Sequence, residues 1–186
     1  MLTGQKIVLA VTGSIAAYKS CELLRLLIKR GAEVSVIMTE AAQRFVTPLT
    51  FRALGAKRVF TSDWEQSTSV IPHIEATKEA NLLLVEPATA NILAKAAQGI
   101  ADDILSAAIL AARCPVAYAP AMNTYMWHNQ ATQRNVAQLT QDGALFLGPA
   151  SGEQACGDVG SGRMLEPEEI IELLQGAFSP RVLDRC

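Results

Sequence analysis

At 186 residues, half of them hydrophobic, the chain has the length of one domain with a full core. Its formal charge of -2 gives no basic field to gather polyanions, and no Lys/Arg stripe interleaves with aromatics, so nucleic acid is excluded as an expected partner. No apolar run approaches the roughly 20 residues that span a bilayer, and "MLTGQKIVLAVTG" lacks the basic segment and cleavage site of a signal peptide, so a cytoplasmic protein without membrane contact is expected.

In chain order, "KIVLAVT" (6–12) is a short apolar run ending at Gly13-Ser14, and "AAYKSCELLRLLIKRG" then spaces leucines on a helical stripe closed by Gly31. "EVSVIM" (33–38) follows at once, giving a strand-helix-strand unit with parallel strands and a right-handed crossover. "TSDWEQSTSVIPH" (61–73) reads as a loop, and "HIEATKEA" as a short polar helix. Next come the strand "NLLLVEP" (81–87), helices in "NILAKAAQG" and "ADDILSAAILAAR", and the strand "PVAYAP" (115–120). A helix within 128–142, the strand "ALFLGP" (144–149) and a last helix opened by Glu166-Pro167-Glu168-Glu169 complete the pattern. Near-continuous apolar strands between helices predict an α/β fold, a three-layer doubly wound parallel sheet of flavodoxin-like or Rossmann-like type.

Ligands of such sheets bind at the carboxyl ends of the strands. Five strand ends, "TGSIAA" (12–17), "TEAA" (39–42), "EPATAN" (86–91), "APAMN" (119–123) and "GPASGEQACGDVGSG" (148–162), consist of small, hydroxyl, amide and proline residues and would share one rim. The first has a single glycine where a dinucleotide site wants GxGxxG, which supports NAD only weakly. Ser14 reads as a helix N-cap or as an anion donor, and Asn91 and Asn123 as caps or as ligands of a planar polar group or a carboxylate. Asp102 and Asp103 read as caps, and His73 as a structural histidine.

Cys21, Cys114, Cys156 and Cys186 form no CxxC pair and have only two histidines to join them, so neither a metal nor a disulfide framework is expected. Cys21 suits burial as a small hydrophobe. Cys156 differs, because Gly152, Gly157, Gly160 and Gly162 surround it and predict a mobile lid that delivers a thiol proton after substrate enters.

These segments carry a resemblance. "GSIAAYK" (13–19), "MTEAAQRFVTPLTF" (38–51), "HIE" (73–75), "PATAN" (87–91), "GIADDILS" (99–106), "PAMNTYMW" (120–127) and "ACGDVGSGRM" (155–164) resemble the flavin-containing cysteine decarboxylases, nearest the branch serving coenzyme A biosynthesis. The resemblance implies FMN-dependent decarboxylation of 4'-phosphopantothenoylcysteine to 4'-phosphopantetheine, through thioaldehyde and enethiol intermediates. It places Gly13, Ser14, Ile15, Thr39, Ala41, Thr89, Ala90, Asn91, Ser106 and Ala121 around FMN. It makes His73 the base, Asn123 the holder of the substrate carboxylate and Cys156 the proton donor, with Ala155 and Met164 lining the flap over substrate. It further implies a homo-oligomer, a trimer or a dodecamer assembled from trimers, with flavin at a subunit interface. A phosphopantothenate–cysteine ligase, fused or separate, is the implied partner.

Two positions depart from the family pattern: Ile92 stands where a threonine lies beside flavin, and Glu86 precedes the motif where an apolar residue is usual. Residues 1–178 are expected to form the decarboxylase domain, with 179–186 a tail or shortened linker. The alternatives are a peptidyl-cysteine decarboxylase, which ends at the enethiol and has no need of the complete flap motif, and a flavin-binding regulatory subunit without turnover.

Overall fold

The computed structural model describes residues 2–62 and 71–177. Most of the expected loop at 61–73, and the tail at 179–186, lie outside the described residues. The main sheet follows from alternation along its strands. In β1 (Lys6–Val11), Ile7, Leu9 and Val11 face one side and Val8 and Ala10 the other, and all five are buried. β2 (Glu33–Met38) and β4 (Leu82–Ala88) divide in the same way. Strands apolar on both faces must be covered on both faces, which forces three layers.

One face is covered by α1 (Lys19–Lys29) through Leu23, Leu24 and Leu27, and by α8 (Pro167–Ala177) through Ile170, Ile171 and Leu174. The other is covered by α4 (Ala90–Gln98), α5 (Ile104–Ala111) and α7 (Gln130–Gln141), which contribute Ile92, Leu93, Leu105, Ala108 and Leu139. Among the described residues no helix is long and apolar enough to cross a membrane.

The sheet is parallel, with order β3-β2-β1-β4-β5-β6, where β3 is Val59–Phe60, β5 is Val116–Pro120 and β6 is Leu145–Phe146. This is the Rossmann order, and without the two-residue edge strand β3 it reduces to the flavodoxin order. The expected fold class therefore holds. The order reverses between β1 and β4, so the crevice falls between the turn at Gly13 and the segment at Thr89.

The sequence reading omitted four elements: α2 (Pro48–Ala53), β3, α6 (Thr124–His128) and a two-stranded antiparallel hairpin of β7 (Ala150–Glu153) and β8 (Val159–Arg163). The polar helix expected after residue 73 is α3 (Pro72–Thr77). The glycine-rich segment around Cys156 is thus an ordered hairpin rather than a free lid. Its glycines serve close approach: a Cβ on Gly162 would stand 2.4 Å from the Met122 carbonyl oxygen, and one on Gly160 would stand 2.5 Å from the Thr124 hydroxyl.

Candidate functional site

Two clefts open at the carboxyl rim. The larger, of about 890 Å³, lies at the switch point and is lined by Gly13, Thr39, Ala41, His73, Thr89 and Asn91, together with Arg44 and Lys95. Its walls are held together by short contacts. Thr12 Oγ1 donates to the Pro87 carbonyl at 2.6 Å, tying the turn after β1 to the end of β4. Gly13 lets the turn after β1 meet the loop after β2, since a Cβ there would stand 2.5 Å from that of Ala41.

Thr89, not Asn91, caps α4, accepting from the Ile92 N–H. Asn91 is left exposed on the cleft, and Ala90 opens the helix between them. Ile92 is 2% exposed and fills the core with its aliphatic side chain, so the position that departs from the family pattern is occupied by packing. His73 sits in the first turn of α3, where its carbonyl accepts from Thr77 Oγ1.

Lys95 escaped the sequence reading. A single cation on the Ala-rich helix "NILAKAAQG" was its only signal, and Asp102 and Asp103 explain it: Lys95 Nζ donates to them at 2.6 and 2.9 Å. Asp103 is the N-cap of α5 and shares a reciprocal capping box with Ser106, as the cap reading expected. Partial burial acts to raise the Asp103 pKa, but the Ser106 N–H and the Lys95 ammonium outweigh it and hold the carboxyl below its usual range. Ser106 is buried beneath this box and lines neither cleft.

The smaller cleft, of about 380 Å³, brings together Ser14, Ile15, Ala121, Asn123, Ala155, Cys156 and Met164. Ser14 caps the 3-10 turn Ile15–Tyr18 by accepting from the Ala16 N–H. Asn123 serves in two ways at once: Oδ1 caps α6 by accepting from the Tyr125 N–H at 2.8 Å, while Nδ2 faces the hairpin tip. There it donates to Asp158 Oδ2 at 2.6 Å and approaches Cys156 Sγ at 3.3 Å. Cys156 is exposed and Met164 buried.

Gln154 fixes the tip from below. Its Oε1 accepts from the Thr124 N–H at 3.0 Å, and its Nε2 donates to the Met122 and Ser161 carbonyls, each at 3.3 Å. The wall opposite is ionic. Lys19 Nζ lies 2.8 Å from both oxygens of Glu166, which also pairs with Arg163, and the Lys19 ammonium holds the Glu166 carboxyl below its usual range. Gln154, Asp158 and the Lys19–Glu166–Arg163 group escaped the sequence reading, because their roles depend on contacts across up to 147 residues.

Apart from Ala90 and Ser106, which line neither cleft, the predicted site residues fall into two sets, with adjacent residues Gly13 and Ser14 lining different clefts. Within one chain His73 and Cys156 do not line a common cleft.

Comparison with known proteins gives a consistent result. A model of the Flavoprotein family matches residues 1–179. The coenzyme A biosynthesis bifunctional protein CoaBC of Vibrio parahaemolyticus is 48% identical over 184 residues, covering 98% of this chain and 46% of its own length. The chain thus spans about half the length of the curated relatives it matches. Among solved structures, a mutant PPC decarboxylase complexed with pantothenoylaminoethenethiol superposes with a TM-score of 0.81 at 32% identity, covering 92% of this chain and 96% of that one. The FMN binding protein AtHal3 superposes with a TM-score of 0.80 at 31% identity, covering 94% and 96%.

Proposed function

The chain belongs to the Flavoprotein family, and from that premise we propose that it is an FMN-dependent decarboxylase acting on 4'-phosphopantothenoylcysteine, in the step of coenzyme A biosynthesis that yields 4'-phosphopantetheine. The observation that carries this reading is the convergence of an amide donor and an exposed thiol: Asn123 Nδ2, at the N-cap of α6, and Cys156 Sγ, at the tip of the docked hairpin, lie 3.3 Å apart. A decarboxylase that ends at the enethiol has no use for such a donor, so the complete hairpin favours the reductive reaction.

The residues present fit FMN. Gly13 keeps two rim loops together without filling the crevice, and Thr39, Thr89 and Asn91 offer hydroxyl and amide partners for a polar-edged ring. Arg44 at the edge of the cleft offers positive charge suited to a phosphate, whereas Lys95 is already paired with Asp102 and Asp103. When bound, FMN supplies the electron sink without which loss of CO2 from a saturated carbon would leave an unstabilised carbanion.

The protein's own groups do the rest. Asn123 Nδ2 holds the substrate carboxylate, and His73 takes up a proton as the substrate is oxidised. Cys156 gives a proton to the carbon that has lost CO2, while Ala155 and Met164 close over the substrate. Because His73 and Cys156 line different clefts of one chain, the working unit is read as a homo-oligomer in which one subunit's His73 meets another's Cys156. Exposed Ile15 and Tyr18 beside the second cleft support an interface there. A trimer, alone or assembled into a dodecamer, is the proposed state, and a phosphopantothenate–cysteine ligase the proposed partner in supplying substrate.

The test is direct. Purified protein should be yellow and release CO2 from 4'-phosphopantothenoylcysteine; flavin-loaded protein that releases none refutes the reading. Cys156→Ser should keep flavin and stop at the enethiol, and His73→Asn should abolish CO2 release with the fold intact.

A further inference from the structure

A third cleft, of about 300 Å³, lies on the face of the sheet covered by α4, α5 and α7. Cys114 and Pro115, just before β5, and Gly143 and Ala144, just before β6, line it, so it opens toward the amino ends of these strands, away from the carboxyl rim. α5 is the wall between it and the larger cleft. Ile104 and Ala107 face the larger cleft, while Ser106, Ile109 and Leu110 face this one. Most of the lining is aliphatic, and among the described residues that form it Asp142 alone is charged.

One polar group on this lining has nothing to bond. Tyr118 is 1% exposed, its ring is stacked on Phe146 with centroids 5.5 Å apart, and its hydroxyl is bonded to no described residue. A buried hydroxyl left in that state costs about 1–3 kcal/mol. Ser106, the other hydroxyl on the lining, is already engaged, accepting from the Asp103 N–H at 3.0 Å and donating to the Asp103 carbonyl at 3.1 Å. Burial holds the Tyr118 phenol above its usual range, so it stays protonated and able to donate at neutral pH.

We propose that this cleft is a binding site for a small neutral molecule, a single ring or branched chain bearing one carbonyl acceptor, which takes a hydrogen bond from Tyr118 Oη. The volume sets the size, since a dry cavity of about 150 Å³ already holds benzene and pockets for larger ligands begin near 300 Å³. The lining sets the charge. A carboxylate or phosphate would give up its hydration beside Ile109, Leu110 and Leu139 and would face Asp142 as well. The unbonded donor sets the functional group, because a carbonyl oxygen supplies what the fold leaves Tyr118 without. The cleft shares no lining residue with the other two, so the site is separate from those read for flavin and substrate and does not depend on them.

Cys114, a half-buried thiol on the same lining, serves as the reporter. The purified protein, carrying its flavin, is treated with methyl methanethiosulfonate at mildly alkaline pH, since burial holds the Cys114 thiol above its usual range. Labelling of each cysteine is read by peptide mass spectrometry with acetophenone or benzoate as probe. Acetophenone, with a dissociation constant of roughly 1 mM for so small a molecule, should slow Cys114 labelling about fivefold at four times that concentration. Labelling of Cys156 and the flavin spectrum should not change, and benzoate should not protect. Tyr118→Phe keeps the ring on Phe146 and loses only the hydroxyl, so Cys114 should label as in the wild type without probe. That variant should need roughly five to ten times more acetophenone for the same protection. The proposal is overturned if acetophenone does not protect Cys114, which would leave water as the partner of Tyr118, or if Tyr118→Phe is protected as well as the wild type. Equal protection by benzoate overturns it also, as does a Cys114 that the reagent cannot reach even without probe, since the mouth is then closed.

Discussion

Glu86 is the least comfortable side chain in the fold. It is fully buried on the α1 face of β4, with neither carboxylate oxygen hydrogen-bonded to any described residue. Ser20 Oγ donates instead to the Glu86 carbonyl at 3.1 Å. Burial pushes the acid up from 4.5 to about 8, against smaller opposing effects of Ser20 and Lys19, so Glu86 is neutral in the folded protein at pH 7. The unfolded chain is ionised there. Between pH 4.5 and 8 the folded state therefore binds one more proton than the unfolded state, and stability falls as pH rises by about 1.4 kcal/mol per unit. Glu86→Gln removes this dependence while keeping shape and neutrality. The variant should match the wild type near pH 4, exceed it by about 3 kcal/mol at pH 7, and level off at about 5 kcal/mol above pH 8. Urea titrations of the two proteins from pH 4 to 9 measure the difference. A stability difference that stays flat across that range would refute the reasoning, since it would mean the carboxylate is solvated or paired in the native state.

Three further outcomes follow from the same coordinates. Gly162→Ala places a Cβ on the Met122 carbonyl at a φ of 125°, which strains the backbone by about 1–2 kcal/mol beyond the clash. The hairpin should undock, seen as protease cleavage near residues 154–158 and loss of turnover, with flavin retained; full turnover would show that docking is not needed. Gly13→Ala drives a methyl into Ala41, and the purified protein should lose its flavin colour while staying folded by circular dichroism. Asp103→Ala removes the cap of α5 and a partner of Lys95, lowering stability by about 1–2 kcal/mol and Tm by several degrees. Because the Asp103 carboxyl is held below its usual range, that contribution is present above pH 4 and fades as pH falls through the lowered value. An unchanged melting curve at both pH 7 and pH 3 would remove Asp103 from the account.

The parallel core could be read from sequence because burial on both faces leaves runs such as "NLLLVEP" that admit little else. β3 has only two residues, and α6 only five, too few for any period to show. The hairpin was misread for a better reason. "ASGE" and "VGSGR" have poor strand propensity, and a two-stranded ribbon is marginal by itself. It exists because Gly160 and Gly162 let it lie against Met122 and Thr124, an approach that looks like flexibility when only the glycine count is visible. Within the site the small rim residues could be identified, but not their division between two clefts, since Gly13 and Ser14 are neighbours in sequence and diverge only in space. Asp158 lay within a quoted motif, yet its partner Asn123 is 35 residues away. Glu86 stood out as a departure from pattern, but only the packing of α1 over β4 makes it a buried, neutral acid.

The strength of the hairpin's attachment fits the part assigned to it. Three bonds fasten it to the segment after β5: Thr124 N–H to Gln154 Oε1, Gln154 Nε2 to the Met122 carbonyl, and Met122 N–H to the Gly162 carbonyl. The Asn123 bond to Asp158 is a fourth. At about 1 kcal/mol each, undocking costs about 3–5 kcal/mol, which leaves the open form at roughly 1 in 200 to 1 in 5,000 of the population. A tip held by core packing, at several kcal/mol for each buried side chain, would not reopen at a useful rate. Polar fastening by side-chain and main-chain bonds, on strands with almost no apolar side chains, therefore makes a hairpin that can undock and return at modest cost.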